Sequence, residues 1–211
     1  MSLSIIPLVL GPLENNSYIL ADTEIKIAVI IDPSFEHETI INTAINHGLM
    51  IQQIWITHGH FDHLAGARPI SSEFTPSIPI GLHPFDLDLW KNNGGAAAFG
   101  FDVVTGDNPE ISFTHCQILK IGNHSVELRH TPGHTRGHVT FYIPDAGAAI
   151  CGDVIFANSI GRTDLPGGDY ATLIKSIQEQ IFTLPPQTRL LCGHGPDTTV
   201  EAEMAHDPFF Q

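Results

Sequence analysis

The sequence predicts an α+β fold in which two β-sheets pack together with helices outside, built as one domain over residues 1–211. Three observations point there. Strand-like runs followed by a helix occur twice along the chain. Each polar cluster falls at the end of a strand-like run, where layered folds of helices and sheets collect functional residues. Hydrophobic residues make up 42% of the 211 residues and charged residues 15%, which supplies one sizeable core.

The elements follow in order. Residues 17–20 and 25–31 read as a hairpin of buried strands, and Asp32-Pro33 ends the second because proline cannot continue a central ladder. Residues 36–47 read as a helix with Ile40, Ile41, Ala44 and Ile45 on one face and Gly48 as its stop. A strand at 52–57 comes next, after which Gly59 lets the chain turn sharply into a helix at 62–74. Asp62 at the start of that helix suits its dipole. The stretch 91–109, rich in glycine and asparagine, reads equally as a lid or a plain loop. Strands resume at 117–121, 125–130, 138–143 and 148–151. A helix at 169–183 has Asp169 as N-cap and Leu173, Ile174, Ile177 and Ile181 on one face, with Tyr170 assigned to helix packing. A last strand, 188–192, runs into Gly193-His194-Gly195.

Nine Lys plus Arg stand against 23 Asp plus Glu, a formal charge of −14, which argues against nucleic acid and anionic membrane surfaces as partners. No run reaches a membrane-spanning length, and the apolar start is interrupted by Pro7, Gly11 and Pro12 and does not resemble an export signal. Cys116, Cys151 and Cys192 show no paired spacing, which reads as a reducing cytoplasm.

The chemistry concentrates at His58, His60, Asp62 and His63, straight after the apolar run Ile54-Trp55-Ile56. Imidazole nitrogen and carboxylate oxygen are ligands of zinc and related divalent metals. Downstream, His134, Asp153 and His194 each follow a glycine, which permits close backbone approach to a ligand cluster. Two divalent metals held by such a set could share a hydroxide and attack a polarised carbonyl, with Asp62 orienting the nucleophile. A thiolate leaves readily, so an acyl thioester suits this chemistry. Zinc is the first choice of metal, and iron or manganese also suit an all His/Asp set. Arg136 and Arg162 flank the ligand motifs and are candidates to pair with a substrate carboxylate. Cys151 and Cys192, each near a ligand, read as small buried core residues, His130 and His138 as supporting groups, and His83 as a strand-end residue without a role.

The run His58 to His63, with His134, Asp153 and His194, resembles the metallo-β-lactamase superfamily. The resemblance implies an αββα sandwich with a two-metal site between the inner sheet edges. It assigns His58, His60 and His134 to one metal and Asp62, His63 and His194 to the other, with Asp153 bridging. Residues 131–143, 152–169 and 192–203 are similar to short, single-domain hydrolases of the glyoxalase II group, which implies an S-acyl-glutathione such as S-lactoylglutathione as substrate. The chain departs from that group at Ser159-Ile160-Gly161 and at Asp164, where a Gly-Cys-Gly and an aromatic residue are expected. Residues 161–164 and 181–185 also resemble persulfide dioxygenases of the same superfamily, which use one iron at the positions of His58, His134 and Asp153. Lactonases and phosphodiesterases share the metal core, and a non-catalytic metal-binding module is the remaining alternative.

Overall fold

Residues 2–211 are described by a computed structural model. A first sheet holds β1 (Leu3–Leu10), β2 (Asn15–Asp22), β3 (Ile27–Ile31), β4 (Met50–Trp55), β5 (Ile80–Leu82) and β6 (Ile111–Ser112) in sequence order. A second sheet holds β7 (Ile118–Ile121), β8 (His124–His130), β9 (Val139–Ile143) and β10 (Ala148–Gly152). After a small hairpin of β11 (Ile155–Phe156) and β12 (Ser159–Ile160), it is completed by β13 (Arg189–Cys192) and β14 (Thr198–Thr199), in the order β14-β13-β10-β9-β8-β7. The helices are α1 (His37–Asn46), α2 (Phe61–Leu64), α3 (Ala67–Ser72), α4 (Leu87–Lys91), α5 (Tyr170–Ser176) and α6 (Val200–His206).

Three apolar layers hold the sandwich. Between the sheets, Tyr18, Leu20, Val29, Ile31 and Trp55 face Leu119, Val126, Leu128, Phe141 and Ile150. On the outer face of the first sheet, Ile19, Ile30 and Ile54 pack on Ile40 and Ala44 of α1 and Ile70 of α3. On the outer face of the second, Ala149, Cys151 and Leu190 pack on Leu173 of α5 and on Ile177 and Ile181 beyond it. Strands buried on both faces read as continuous apolar runs, which is why β2 and β3 show no polar alternation.

Direction places the site. The pairs β3–β4, β4–β5 and β10–β13 are parallel, so all five strands end on the same rim. Open sheets of parallel strands keep their ligands outside the carboxyl ends of those strands. Here the rims of the two sheets are stitched by Val139 N to Thr57 O at 2.8 Å and Asn16 N to Gly193 O at 2.7 Å, while Gly193 N to Gly152 O at 2.8 Å extends the β10–β13 pairing to the rim.

Several expectations need correction. Strand β1 is absent from the sequence reading, and β2 is eight residues long rather than the four of 17–20. Ile45 of α1 is 63% exposed, because the buried stripe is narrower and runs through Ile40 and Ala44. The helix expected at 62–74 is two short helices broken at Ala65-Gly66, where Gly66 N donates to Pro33 O at 2.9 Å and a methyl group would run into the Ser34 carbonyl. The helix expected at 169–183 is α5 followed by a wider turn closed by Phe182 N to Ile177 O at 2.9 Å, and Tyr170 is 52% exposed rather than packed. The stretch 91–109 is not a plain loop: Ala96 and Val103 are buried in the first core, and Thr105 Oγ1 donates to Trp90 O at 2.8 Å.

Phe141 sits between the sheets against Trp55 at 5.4 Å and Phe113 at 5.6 Å, measured between ring centroids. Phe141→Ala is expected to cost about 3–5 kcal/mol of stability, read as a lowered urea midpoint with little change in slope. A loss below about 1 kcal/mol would show that the sheets do not depend on this contact.

Candidate metal centre

The run after β4 descends into the seam between the sheets. His58, His60, Asp62 and His63 are all buried, as are His134 and Asp153, and His194 closes the rim from the end of β13. The chain bends at Thr57 and His58 on its way into α2, and Gly59, which is not in the left-handed region, has its N–H donating to Asp86 Oδ2 at 2.8 Å. His60 Nδ1 and His134 Nε2 lie 2.9 Å apart, and ligand atoms of His58, His60 and His134 all fall within 4.8 Å of one another. The same holds for Asp62, His63 and His194. Asp153 lies between the two groups, with Oδ1 at 3.3 Å from His63 Nε2 and Oδ2 at 3.6 Å from His134 Nε2 and 3.7 Å from His194 Nε2. A methyl group on Gly193 would strike the Asp153 carboxylate, so only glycine fits there.

The outer ring nitrogens decide whether these groups suit a metal. His134 Nδ1 faces the Arg162 carbonyl at 2.7 Å, His194 Nδ1 the Leu13 carbonyl at 3.1 Å and His63 Nδ1 the Asp32 carboxylate at 2.9 Å. His58 Nδ1 faces Thr57 Oγ1 at 3.0 Å, and that hydroxyl already donates to Asp32 Oδ2 at 2.6 Å. Each partner accepts, so each neutral ring carries its proton outward and turns a bare lone pair toward the centre. His58 Nε2, His63 Nε2 and Asp153 Oδ1 are buried there without a hydrogen-bond partner. Orphaned lone pairs converging in this way fit a divalent cation and little else.

The electrostatics agree. Burial drives the His60 pKa down to about 3 and that of His58 well below the usual imidazole range, so both rings are neutral donors of electron pairs. Burial also opposes charge on His63, but Asp153 and Asp62 overcome it and lift its pKa well above normal. Burial works against the Asp62 carboxylate too, yet His63, with hydrogen bonds from His194 and Asn15, brings its pKa down to about 2. The two carboxylates thus demand positive charge at the point where a proton and a metal compete for one lone pair.

Four supporting residues were not identified from the sequence. Asp32, read only as a strand stop, accepts from Thr57 N and Oγ1 and from His63 Nδ1. Asp32 with His58 and His63 also comes within metal-binding range, but those bonds already fill its carboxylate. Asp86 is buried and accepts from Gly59 N, Thr135 Oγ1 and Gly137 N, tying the His58–His60 loop to the His134 loop. Asn15 Nδ2 donates to Asp62 Oδ2 at 3.0 Å. Tyr18 Oη donates to Cys192 O at 2.6 Å and anchors the turn that carries His194. None of the four lies in the His-rich runs that drew attention to the other positions, although polar side chains at the ends of buried strands were a usable signal for Asn15 and Asp32.

The remaining candidates separate. His138 is buried and its Nε2 accepts from Asp153 N at 3.1 Å, a supporting role. His83 stacks on His130 at 4.2 Å, away from the ligand cluster. Cys151 and Cys192 are free and buried in core layers, and neither joins a potential metal group among the described residues. A cavity of about 640 Å³ opens over the cluster, walled by Leu13, Phe61, Phe99, Phe156, Ile160 and Leu165, with Arg162 on its lining. Arg162 is held by Asp164 through two bonds of 2.7 Å, and those bonds bring the Asp164 pKa down to about 2. Arg136 does not line that cavity; it borders a separate depression with Phe85 and Gly167.

The sequence profile of the metallo-beta-lactamase superfamily matches residues 10–194. The chain belongs to that superfamily. Membership implies a divalent metal centre, and the His and Asp clusters just described are groups that could hold it. The chain is 35% identical over 211 residues to the hydroxyacylglutathione hydrolase GloC of Haemophilus influenzae, across 99% of this chain and 98% of the relative. It is similar to the crystal structure of the BLEG-1 B3 metallo-beta-lactamase, at 36% identity and a TM-score of 0.92 over 99% of this chain and 100% of the other. It is also similar to TTHA1623 in a di-iron-bound form, at 35% identity and a TM-score of 0.86 over 97% of this chain and 99% of the other. These likenesses agree with the expected αββα sandwich.

Asp32→Asn keeps the shape but weakens the acceptor that orients His63. Metal affinity, measured by competition with a chelator, is expected to fall roughly 10- to 100-fold. Unchanged affinity would show that the His63–Asp32 bond does not tune the site.

Proposed function

We propose that this protein is a metal-dependent hydrolase of acyl thioesters that binds two divalent metals. The observation that carries the reading is the pair of inward-facing ligand groups, His58/His60/His134 and Asp62/His63/His194, joined through Asp153. Similarity to GloC supports a thioester substrate, and similarity to the di-iron TTHA1623 supports two metals, with zinc, iron and manganese all compatible with the donor set.

A divalent metal, when bound, supplies a Lewis acid and activates water near neutral pH. The chain's own residues do the rest. Asp62, ionised and fixed by Asn15, orients the attacking water from within its ligand group. The apolar walls of the cavity seat the substrate and thin out bulk water around the carbonyl. The departing thiol ionises at a pKa of about 8.5, so no side chain is needed to protonate it. Arg162 stands at the rim as the candidate contact for the substrate's carrier. Three free cysteines fit a reducing compartment, and among the described residues no helix is long and apolar enough to cross a membrane.

Two expectations test this reading. Elemental analysis of metal-replete protein should approach two transition metals per chain; a single iron, with O₂ consumed in the presence of a persulfide, would replace it with the dioxygenase reading. In steady-state assays, Asp153→Ala and His60→Ala should each lower thioester hydrolysis by at least about 10²-fold, some 2.7 kcal/mol of transition-state stabilisation. Smaller losses in both would sink the mechanism, and turnover of a lactone or β-lactam but of no thioester would sink the substrate class.

A further inference from the structure

The cavity over the ligand cluster has a chemical character of its own. Phe61 of α2 and Phe99, from the turn after α4, form one wall with ring centroids 5.5 Å apart. Phe156 and Ile160, on the β11–β12 hairpin, form another, and Leu13 closes a third side from the β1–β2 turn. Leu13 is 43% exposed and Phe99 49% exposed, so large apolar side chains stand open to water inside a concave site. Such surface marks a place where an apolar group is received. Away from the ligand cluster, Ser159 and Arg162 bring the polar side chains to the lining.

Arg162 does not act there as a free cation. Its Nε and Nη2 meet Asp164 Oδ1 and Oδ2, each at 2.7 Å, so one bidentate edge of the guanidinium is engaged and its charge is offset before any substrate carboxylate arrives. The pair is solvent-exposed and contributes little to stability; its effect is to leave the rim without net charge. Arg136, which has no carboxylate partner among the salt bridges of the described residues, borders a different depression.

Resting on the thioester reading above, we propose that the site selects apolar acyl groups, aliphatic or aromatic, and gives no advantage to an anionic carrier such as glutathione. Phe99 and Phe156 set the acyl preference, and Asp164 sets the carrier preference by occupying Arg162. A small hydroxylated acyl group leaves these walls unfilled. Each methylene of a longer chain that is buried against them is worth roughly fourfold in transition-state binding.

The test uses metal-replete protein and thioesters of one neutral carrier, N-acetylcysteamine, with lactoyl, acetyl, hexanoyl and benzoyl groups, and the lactoyl and hexanoyl thioesters of glutathione. The expected kcat/KM for hexanoyl exceeds that for lactoyl by at least tenfold on the same carrier, and changing the carrier to glutathione alters it less than about threefold. Phe99→Ala should shrink the hexanoyl-to-lactoyl ratio at least threefold. Asp164→Asn should raise the glutathione-to-N-acetylcysteamine ratio at least threefold by releasing Arg162. A wild-type enzyme that prefers lactoyl, or that prefers glutathione in a way abolished by Arg162→Ala, overturns the proposal while leaving thioester hydrolysis standing. Should no thioester turn over, that underlying reading fails, and calorimetry with S-hexyl and S-methyl thioethers of N-acetylcysteamine still decides the pocket. Tighter S-hexyl binding, lost in Phe99→Ala, upholds an apolar seat, and equal binding overturns it.

Discussion

Asp153 is a carboxylate buried in the seam between two sheets, with imidazoles of His63, His134 and His194 turned toward it and too few hydrogen-bond donors to satisfy it. A buried charge of this kind is tolerated only where opposite charge is held beside it. Much of the surrounding architecture keeps it there. The β10–β13 pairing shifts register between Ile150 and Gly152, just before Asp153, and Gly193 gives its carboxylate room. His138 accepts from the Asp153 amide and fixes the turn from behind.

The sandwich makes this arrangement rigid. Parallel strands from both sheets end on one rim, and the layer around Trp55, Phe113 and Phe141 holds those ends at a fixed spacing. The loops that carry the candidate ligands are then fastened to one another by two buried carboxylates whose oxygens are taken up by protein donors. Asp32 spans the end of β4 and His63, and Asp86 spans the His58 and His134 loops. Ligands borne on loops reach the precision of a core because their own polar groups are satisfied in this second layer.

What the sequence disclosed follows from the same physics. The strands at 117–121, 125–130, 138–143 and 148–151 were legible because apolar runs there are bounded by turn residues, and they match β7 to β10 within a residue or two. The pattern of the ligand run was legible because imidazoles and carboxylates at such density have few other uses. Helix lengths were not legible at 62–74, since nothing local says that Gly66 must pass under Ser34; that contact joins residues far apart in sequence. Strand β1 was hidden by Pro7 within it and by Gly11 and Pro12 just beyond its end. Asp86 was hidden for the same reason as Gly66: its partners Gly59, Thr135 and Gly137 come together only in the folded chain. The pairing of Arg162 with Asp164 is only two residues apart, yet its meaning depends on the apolar cavity beside it.

The central claim is that the seam holds two metals, one at each ligand group, with Asp153 between. Anomalous diffraction from metal-loaded crystals, collected on both sides of the metal's absorption edge, tests it most directly. Two peaks are predicted, one among His58, His60 and His134 and one among Asp62, His63 and His194, with the Asp153 carboxylate in contact with both. A single peak with His63 and His194 free of metal, or a peak seated on Asp32, would contradict the account.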